Sequence, residues 1–339
     1  MSTTQVLISG PHVGLGRLQS QVPDGDFGAE LPVETRRVAR KQLREDEHAR
    51  QQALQQFRDW ASKSQEVQNC RLDANFMLRF LRVKKFSVPM AQQTLLKYLS
   101  LRQTLPHLCK RLDYLEPSVN QLIAAGYIFP LLERDSEGRK VIFTAASKLD
   151  PYKFTCADMA KAHFITYEAL MEDELNQVHG FCHVSDLSGV SAAHVTLWSP
   201  SEFTTAVKWG EQSIPMRHRE MNFINLPAPV RLVYDLARST FSEKMRKRFK
   251  VHSNLKELHN KVDAQILPKE YGGKVPMQEM IDAWMRELKG KRERLMALDK
   301  MSLTCVYKPQ RNRKSGSGDS SLKSTINSLP GSFRRLEVD

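Results

Sequence analysis

The chain has 339 residues, of which 41% are hydrophobic, and this length suits one medium-sized domain with a core beside a smaller domain. The formal net charge of +13 favours anionic partners such as a membrane surface, a phosphoinositide or nucleic acid. There is no apolar run near the roughly 20 residues of a membrane-spanning helix, no secretory signal and no regular spacing among the five cysteines, so we expect a cytoplasmic protein with reduced thiols.

The first part of the chain predicts a disordered N-terminus followed by helices. Residues 1–31 contain glycine, proline and serine without a sustained period, which is typical of disorder. Farther on, Asp73 is a good helix N-cap, and Ser87 with Pro89 marks the start of another helix. Apolar residues recur at helical spacing after both positions, so we predict a small all-helical domain over residues 32–110.

From residue 115 onward, strand and helix patterns alternate. The predicted strands cover residues 127–133, 140–145, 180–187, 220–224 and 249–251, and the predicted helices cover residues 117–125, 157–177, 200–212 and 227–241. Such alternation indicates an α/β domain, assigned to residues 115–276, with a mixed and largely parallel sheet. A closing helix is predicted over residues 277–300, and the polar, basic residues 301–339 are predicted to be a disordered tail.

Two basic pairs with regular spacing point to an anion site. Arg217 and Arg219 are two residues apart, so they share one side of a strand. Lys244 and Arg248 are four residues apart, so they share one side of a helix. A solvated charged surface would explain the same spacing. Cations beside the apolar helix over residues 227–241 also suggest a site for a phosphorylated lipid headgroup next to a hydrophobic cavity.

The predicted helices leave two interpretations open. The helix over residues 227–241 carries a wide apolar stripe, which fits either an ordinary core helix or a lid over a ligand. His163 and Tyr167 lie four residues apart on the helix over residues 157–177, on the same face as Ala160. This polar pair either makes a hydrogen bond within the core or orients the single polar group of a bound ligand.

Candidate catalytic and metal-binding residues are scattered. His179 and His183 alternate onto one face of the predicted strand, and Cys182 and Asp186 onto the other, so the four residues do not predict a zinc site. No pairing of a serine or cysteine nucleophile with a histidine base can be assigned from spacing. We therefore expect no metal, no cofactor and no enzymatic activity.

Several short motifs, in matching order, resemble the CRAL-TRIO family of lipid-binding proteins. The N-terminal motif of that family is similar to Phe76-Met-Leu-Arg-Phe-Leu-Arg-Val-Lys-Lys-Phe86, and its Asp-Leu-x-Gly strand end to Asp186-Leu-Ser-Gly189. Its Leu-Pro-x-Glu-Tyr-Gly-Gly ending is close to Ile266-Leu-Pro-Lys-Glu-Tyr-Gly-Gly273. The resemblance covers about residues 48–298. It is nearest to the branch that contains the α-tocopherol transfer protein, the cellular retinaldehyde-binding protein and the clavesins.

The resemblance implies a small helical domain packed on an α/β domain that encloses one hydrophobic ligand beneath a helical lid. It also implies a basic cleft beside the lid that binds phosphatidylinositol bisphosphates. The residues on the matching basic positions are Lys84, Arg217, Arg219, Lys244 and Arg248. The residues on positions that line the ligand cavity are Ala160, His163, Tyr167, Phe181, Trp209, Met221, Phe223, Val230, Val233, Tyr234 and Ala237.

The chain departs from the family pattern at the expected cavity. His163 and Tyr167 are bulkier than the small polar residues at the same positions of the tocopherol protein, and Trp209 stands where an aliphatic residue is usual. We therefore expect a cavity that is smaller than the tocopherol site or has a different shape.

The resemblance implies intracellular binding and transfer of a small hydrophobic lipid, such as a tocopherol, a retinoid or a similar molecule, by a monomer. Phosphatidylinositol bisphosphate at the basic cleft would promote ligand release and peripheral docking on endosomal or other intracellular membranes. One alternative is a phosphoinositide-binding membrane-trafficking adaptor without bulk lipid transfer, in which the basic tail from Lys308 to Lys314 contacts partners. A nucleic-acid binder would explain the charge but not the Tyr-Gly-Gly ending, so we expect no nucleic-acid partner.

Overall fold

The computed structural model describes residues 26–199, 210–228, 231–240 and 242–304. Its first elements are α1 (Val33–Leu43), α2 (Glu47–Lys63), β1 (Val67–Gln68), α3 (Ala74–Val83), α4 (Val88–Thr104) and α5 (Pro106–Cys109). Asp73 caps α3 as predicted, since its side chain accepts a hydrogen bond from the amide of Phe76 at 3.2 Å. Pro89 lies in the first turn of α4, where a proline removes no helical hydrogen bond.

Aromatic side chains hold α2, α3 and α4 together. Phe76 and Phe80 of α3 meet edge to face, with ring centroids 5.3 Å apart, and both rings contact Tyr98 of α4. Phe57 of α2 contacts Phe80 with ring centroids 6.2 Å apart. All four side chains are buried, and burial of each large apolar side chain stabilises the fold by roughly 1.5–3 kcal/mol.

A five-stranded sheet follows, built in spatial order from β2 (Ile128–Arg134), β3 (Lys140–Ala145), β4 (Phe181–Asp186), β5 (His218–Ile224) and β6 (Phe249–His252). The strands β2 and β3 form an antiparallel hairpin, and every later pair of neighbours is parallel. Gly138 turns the hairpin with a φ of +75°, a left-handed conformation that glycine adopts without strain. The prediction of a mixed, largely parallel sheet is confirmed.

The helices of this second half connect the strands and close the chain. They are α6 (Pro117–Ala124), α7 (Cys156–Met171), α8 (Glu174–His179), α9 (Ala192–Val195), α10 (Arg231–Thr240), α11 (Glu243–Arg246), α12 (Leu255–His259) and α13 (Met277–Ala297). Across the described ranges, none of the helices is both long and apolar enough to cross a membrane.

The prediction of one continuous helix over residues 157–177 is wrong, because α7 ends at Met171 and α8 begins three residues later. Two side-chain amides stabilise the break. Asn176 donates to the backbone oxygen of Leu170 at 2.8 Å, and Gln177 donates to that of Met171 at 2.8 Å. These bonds satisfy carbonyl groups that the end of a helix leaves without partners.

The ends of the described chain make contacts that local composition did not indicate. The Arg58 guanidinium donates to the carboxylate of Asp26 at 2.8 Å, and Leu31 is buried, so residues 26–31 are packed rather than disordered. Near the other end, the strand β7 (Ser302–Leu303) pairs with β1 in an antiparallel arrangement, so the predicted tail begins too early. The rest of both predicted disordered segments, and the other predicted domain boundaries, stay predictions.

Candidate functional site

The inner face of the sheet is the one that carries His183, Met221 and Phe223. His183 of β4 lies beside Met221 of β5 in the parallel register, so their side chains share this face. Tyr167 of α7 lies over His183, with ring centroids 6.0 Å apart, and Tyr234 of α10 lies over Phe223, with centroids 5.6 Å apart. The helices α7 and α10 therefore cover the inner face.

The opposite face of the sheet is filled by other contacts. The Asn222 side chain donates to Cys182 Sγ at 3.4 Å, and Tyr271 Oη donates to Asp186 Oδ2 at 2.6 Å. Strand alternation thus separates His183 from Cys182 and Asp186, as the sequence indicates. In the part of the chain that the structure describes, no group of three His, Cys, Asp or Glu side chains is arranged to hold a metal ion.

Three polar side chains form a hydrogen-bonded chain above the inner face. Tyr127 Oη lies 3.0 Å from His163 Nε2, and His163 Nδ1 lies 3.1 Å from Tyr167 Oη. The pair singled out from the sequence is therefore bonded within the protein, and Tyr127 is a member that sequence reasoning missed. Burial raises the pKa of both tyrosines and lowers the pKa of His163 to about 4, so all three side chains are neutral near pH 7.

A histidine pair adjoins this chain. His183 Nε2 lies 2.9 Å from His218 Nδ1, and both imidazole rings contact the Tyr167 ring. Burial, followed by the positive charge of Arg248, lowers the pKa of His218 to about 4. Burial is also the main cause that lowers the pKa of His183 well below its usual value. We name these five side chains the polar cluster: Tyr127, His163, Tyr167, His183 and His218.

A β-bulge in β5 brings His218 to the inner face. His218 lies opposite Phe181 of β4, and the next residue in register is Glu220, so Arg219 is an extra residue between them. Sequence reasoning missed His218, although a signal was present. It stands between Arg217 and Arg219, and alternation turns its side chain away from theirs.

Aromatic side chains adjoin the polar cluster beneath α10. Phe223 stacks on Phe249, with ring centroids 5.4 Å apart, and Tyr234 of α10 contacts both rings. The helix α10 covers Arg231–Thr240, within the helix predicted over residues 227–241. Four of the predicted cavity positions cannot be placed here, because Trp209 and Val230 and the side chains of Val233 and Ala237 lie outside the described part of the chain.

The remaining predicted cavity residues differ in their surroundings. Ala160 packs in a small cluster of apolar side chains from α4 and α5, and Phe181 is 1% exposed in the main core. The side chains of His163, Tyr167 and His218 are partly exposed, although they lie where α7 faces the sheet. Such exposure at an internal position indicates open space next to these three side chains.

The predicted basic pair at the strand lies between β5 and α1. Arg217 Nη2 and Arg219 Nη1 both donate to Gln42 Oε1, at 3.0 and 3.2 Å, and Arg217 Nη1 donates to the backbone oxygen of Val178. Arg217 lies just before β5 rather than in it, yet the two guanidinium groups share one side, as the spacing predicts. Burial, followed by repulsion from Arg219 and Arg248, lowers the pKa of Arg217 to about 9.

The predicted basic pair at the helix lies close to the strand pair. The helix α11 ends at Arg246, so Lys244 is helical and Arg248 lies beyond the helix. Burial, followed by the charges of Arg248, Lys85 and the two strand arginines, lowers the pKa of Lys244. Mutual repulsion of this kind needs short distances, so the two pairs form one group.

Lys84 at the end of α3 completes this group. Burial, followed by the charges of Lys97 and Lys244, lowers the pKa of Lys84. Lys85 and Lys97 are neighbours that sequence reasoning missed, and the Lys84-Lys85 repeat was the available signal. We name the five predicted residues, Lys84, Arg217, Arg219, Lys244 and Arg248, the basic cluster.

The basic cluster differs from the buried arginines of the same protein in its partners. Within the described ranges, none of its five side chains forms a salt bridge with a carboxylate. Arg79, by contrast, pairs with Glu168 at 2.8 Å and with Glu172 at 2.9 Å. Cations that repel one another and form no salt bridge in the described ranges form a site that an external anion would stabilise.

Comparisons with known proteins identify relatives over most of the chain. The CRAL/TRIO domain matches residues 124–273. Clavesin-2 of Homo sapiens is 32% identical over 261 residues, which are 77% of this chain and 80% of that protein. Clavesin-1 of Xenopus laevis is 31% identical over 263 residues, covering 77% of this chain and 79% of that protein. The crystal structure of Sfh5 aligns with a TM-score of 0.48 and 16% identity over 70% of this chain and 92% of that chain.

Proposed function

The chain belongs to the CRAL-TRIO family, as its motifs predict, and from this premise we propose that it carries one small hydrophobic lipid between membranes in a cavity gated by α10. Members of this family bind and transfer lipids, so the protein is a lipid-binding protein and not an enzyme. The finer proposal has three parts: the cavity, the membrane-docking site and the coupling between them.

The proposed ligand cavity lies between the inner face of the sheet, α7 and α10. It is bounded by Met221, Phe223 and Tyr234 on its apolar side and by the polar cluster on the other. Burial of a ligand contributes roughly 25 cal/mol per Å² of apolar surface removed from water, so a tocopherol- or retinoid-sized molecule would be held tightly while α10 is closed.

The proposed membrane-docking site is the basic cluster. The observation that carries it is the convergence of five cations, none of which forms a salt bridge with a carboxylate in the described ranges. A phosphatidylinositol bisphosphate headgroup has phosphate oxygens that accept bidentate hydrogen bonds from arginine and point-charge contacts from lysine. We infer a monomeric cytoplasmic protein that associates peripherally with endosomal or other intracellular membranes.

We propose that headgroup binding and opening of α10 are coupled because α10 and part of the basic cluster are close along the chain. The helix α10 ends at Thr240, and Ser242 caps α11, which carries Lys244. A headgroup bound at Lys244 that favours an open position of α10 would lower the affinity for the ligand, because a ligand shifts an equilibrium only through different affinities for two states. The apolar side of the opened α10 would enter the membrane interface.

A double variant, Arg217→Ala with Lys244→Ala, tests the docking site. Loss of two charge-assisted contacts should weaken binding to liposomes that contain phosphatidylinositol bisphosphate by roughly tenfold or more. Transfer of a fluorescent lipid from donor to acceptor liposomes should slow in proportion, while retention of the bound lipid in solution stays unchanged. Sedimentation with liposomes and a transfer assay measure the two effects.

Lys247→Ala is the matched control, because Lys247 is exposed like Lys244 but pairs with the carboxylate of Glu243 at 2.9 Å. It should leave liposome binding close to that of the wild type. Equal liposome binding by the double variant and the wild type would count against the basic cluster. Mass spectrometry of an organic extract of the purified protein would identify the lipid.

A further inference from the structure

Helix α1 has one buried side and one exposed side. Its residues Thr35, Ala39 and Leu43 are buried, and the last two pack with Leu31 and with Val178 of α8. This packing fixes which side of α1 faces solvent, because residues three and four apart on a helix share a side. The exposed residues of the other side are mostly basic, and they are Val33, Glu34, Arg36, Arg37, Arg40, Lys41 and, just after the helix, Arg44.

Three cations at the C-terminal end of α1 are not paired with carboxylates. Arg36 bonds to Glu30 at 3.1 Å and Arg37 to Glu34 at 3.0 Å. Within the described ranges, by contrast, no salt bridge is formed by Arg40, Lys41 or Arg44. A positive charge in the last turn of a helix also stabilises the helix through its dipole, which is a purely structural role. A variant that tests binding at these residues must therefore be tested for stability as well.

The exposed side of α1 adjoins the basic cluster. Gln42, next to Lys41 in the chain, accepts hydrogen bonds from Arg217 at 3.0 Å and from Arg219 at 3.2 Å. Arg217 precedes β5 and Arg248 precedes β6, so this part of the basic cluster lies at the amino ends of two parallel strands. The exposed cations of α1 therefore extend the basic cluster along the protein surface at this end of the sheet.

An extended basic face suits a partner whose negative charges are also spread over a surface. A membrane that contains anionic phospholipids has a negative surface potential, which attracts lysine and arginine side chains within a Debye length. Val33 is 62% exposed and lies seven residues before Arg40, so an apolar side chain shares this face and suits a lipid interface. Nucleic-acid binding would favour exposed aromatic side chains for stacking, and the sequence of α1 contains none.

We propose that the exposed side of α1 is a second membrane-contact surface, at which Arg40, Lys41 and Arg44 bind bulk anionic phospholipids such as phosphatidylserine. This inference rests on the proposed function and deepens its membrane-docking step. The basic cluster would hold one phosphorylated headgroup by hydrogen bonds, whereas the α1 surface holds the protein near any anionic membrane by charge. The two surfaces therefore differ in lipid selectivity.

A triple variant of the full-length protein, Arg40→Gln with Lys41→Gln and Arg44→Gln, tests the α1 surface. Its binding to vesicles of phosphatidylcholine and phosphatidylserine, without phosphoinositide, should weaken by roughly tenfold or more and depend less on salt concentration. Its affinity for the soluble headgroup of phosphatidylinositol bisphosphate, measured by calorimetry, should stay close to that of the wild type. The double variant Arg217→Ala with Lys244→Ala should instead lose affinity for the soluble headgroup.

Two controls separate the location and the charge of these residues from other effects. Lys256→Gln with Lys261→Gln and Lys269→Gln removes the same charge from exposed positions that follow the carboxyl end of β6, and it should bind phosphatidylserine vesicles like the wild type. Arg40→Lys with Arg44→Lys keeps the charge and should also bind like the wild type. Thermal unfolding of each variant measures any contribution of these cations to the stability of α1.

The possible failures are distinguishable. If the folded α1 variant binds phosphatidylserine vesicles as tightly as the wild type, this inference is overturned and the basic cluster remains the docking site. An equal loss in the triple-lysine control would overturn it as well, because the effect would then belong to net charge. Weaker binding of the α1 variant to duplex DNA, with unchanged vesicle binding, would assign the surface to nucleic acid instead. If the wild type binds neither phosphatidylserine nor phosphoinositide vesicles, the proposed docking function is overturned, and this inference with it.

Discussion

Arg79 is fully buried and bonds to two carboxylates, whereas Arg217 is partly buried and bonds only to neutral oxygens. Burial lowers the pKa of an arginine, and a nearby carboxylate opposes this effect. Arg79 therefore holds helix α3 against Glu168 and Glu172, whereas Arg217 forms no salt bridge with a carboxylate in the described chain. Residue type alone does not distinguish these two roles. The partners do.

Replacement of Arg79 by methionine should destabilise the fold strongly. The change leaves the buried carboxylate of Glu168 without its guanidinium partner, and breaking one side of a buried ion pair costs roughly 3–5 kcal/mol. Urea denaturation followed by circular dichroism measures the loss. Arg37→Met is the control, because Arg37 and Glu34 form an ion pair in which both side chains are 74% exposed, and it should change the unfolding free energy little. Similar losses in the two variants would contradict this account of Arg79.

At the scale of elements, β5 serves both candidate sites. Its bulge inserts Arg219 on the side of the basic cluster and brings His218 to the inner face beside His183. A regular strand would place His218 and Glu220 on one face, so the bulge is the feature that separates them. An anion bound at Arg217 and Arg219 is therefore one peptide unit from the polar cluster.

The contact between α10 and the sheet should control how long a ligand stays bound. Tyr234→Ala removes the ring that packs on Phe223 and Phe249, and loss of about 1–2 kcal/mol of packing should raise the ligand dissociation rate by roughly five- to thirtyfold. Stopped-flow displacement of a fluorescent lipid measures this rate. Tyr234→Phe keeps the ring and should resemble the wild type. Dissociation that is equally slow in Tyr234→Ala would show that α10 does not gate the site.

At the scale of the molecule, neutral and charged groups are separated. The histidines of α7, β4 and β5 lie together as neutral rings, and the basic cluster gathers cations at the edge between α1, α3 and α11. A second set of charges is paired and structural. Burial raises the pKa of Glu172, but Arg79, Arg71 and Arg294 outweigh burial and lower it to about 2. The histidines, the basic cluster and the paired carboxylate of Glu172 therefore change charge over different pH ranges.

The buried histidines should make the fold less stable in mild acid. Because the pKa of His163 and His218 is about 4 in the folded protein and about 6.5 in the unfolded chain, the unfolded chain binds more protons between these values. The free energy of unfolding should fall as the pH drops from 6.5 toward 4, by on the order of 1–2 kcal/mol per histidine at pH 5.

Urea denaturation at pH 7, 6 and 5 measures this dependence. The contribution of Glu172 lies at lower pH, since its stabilising charge is fully present above about 4.5 and is lost toward pH 2. His218→Phe should have a smaller dependence between pH 7 and 5 than the wild type. An unfolding free energy that does not change over this range would be inconsistent with buried neutral histidines.

The sequence by itself determined the elements that depend on local chemistry. The cap at Asp73, the strand over residues 140–145 and the alternation that separates His183 from Cys182 follow from side-chain spacing and hydrogen bonding within a few residues. The CRAL-TRIO motifs and their order along the sequence predicted the family, and the relatives confirm it. The break between α7 and α8 was missed, because two side-chain amides override a helical pattern that otherwise continues.

Only the tertiary structure decided which distant residues meet. Tyr127 precedes β2, His163 and Tyr167 lie on α7, and His183 and His218 lie on β4 and β5. Their hydrogen bonds depend on register, on a bulge and on the packing of α7. The spacing of Arg217 and Arg219 predicted that they share a side, but not that Gln42 of α1 would join them. The physical reason is that periodicity reports which face a side chain occupies, whereas charge, burial and hydrogen-bond partners arise from contacts between elements far apart in the chain.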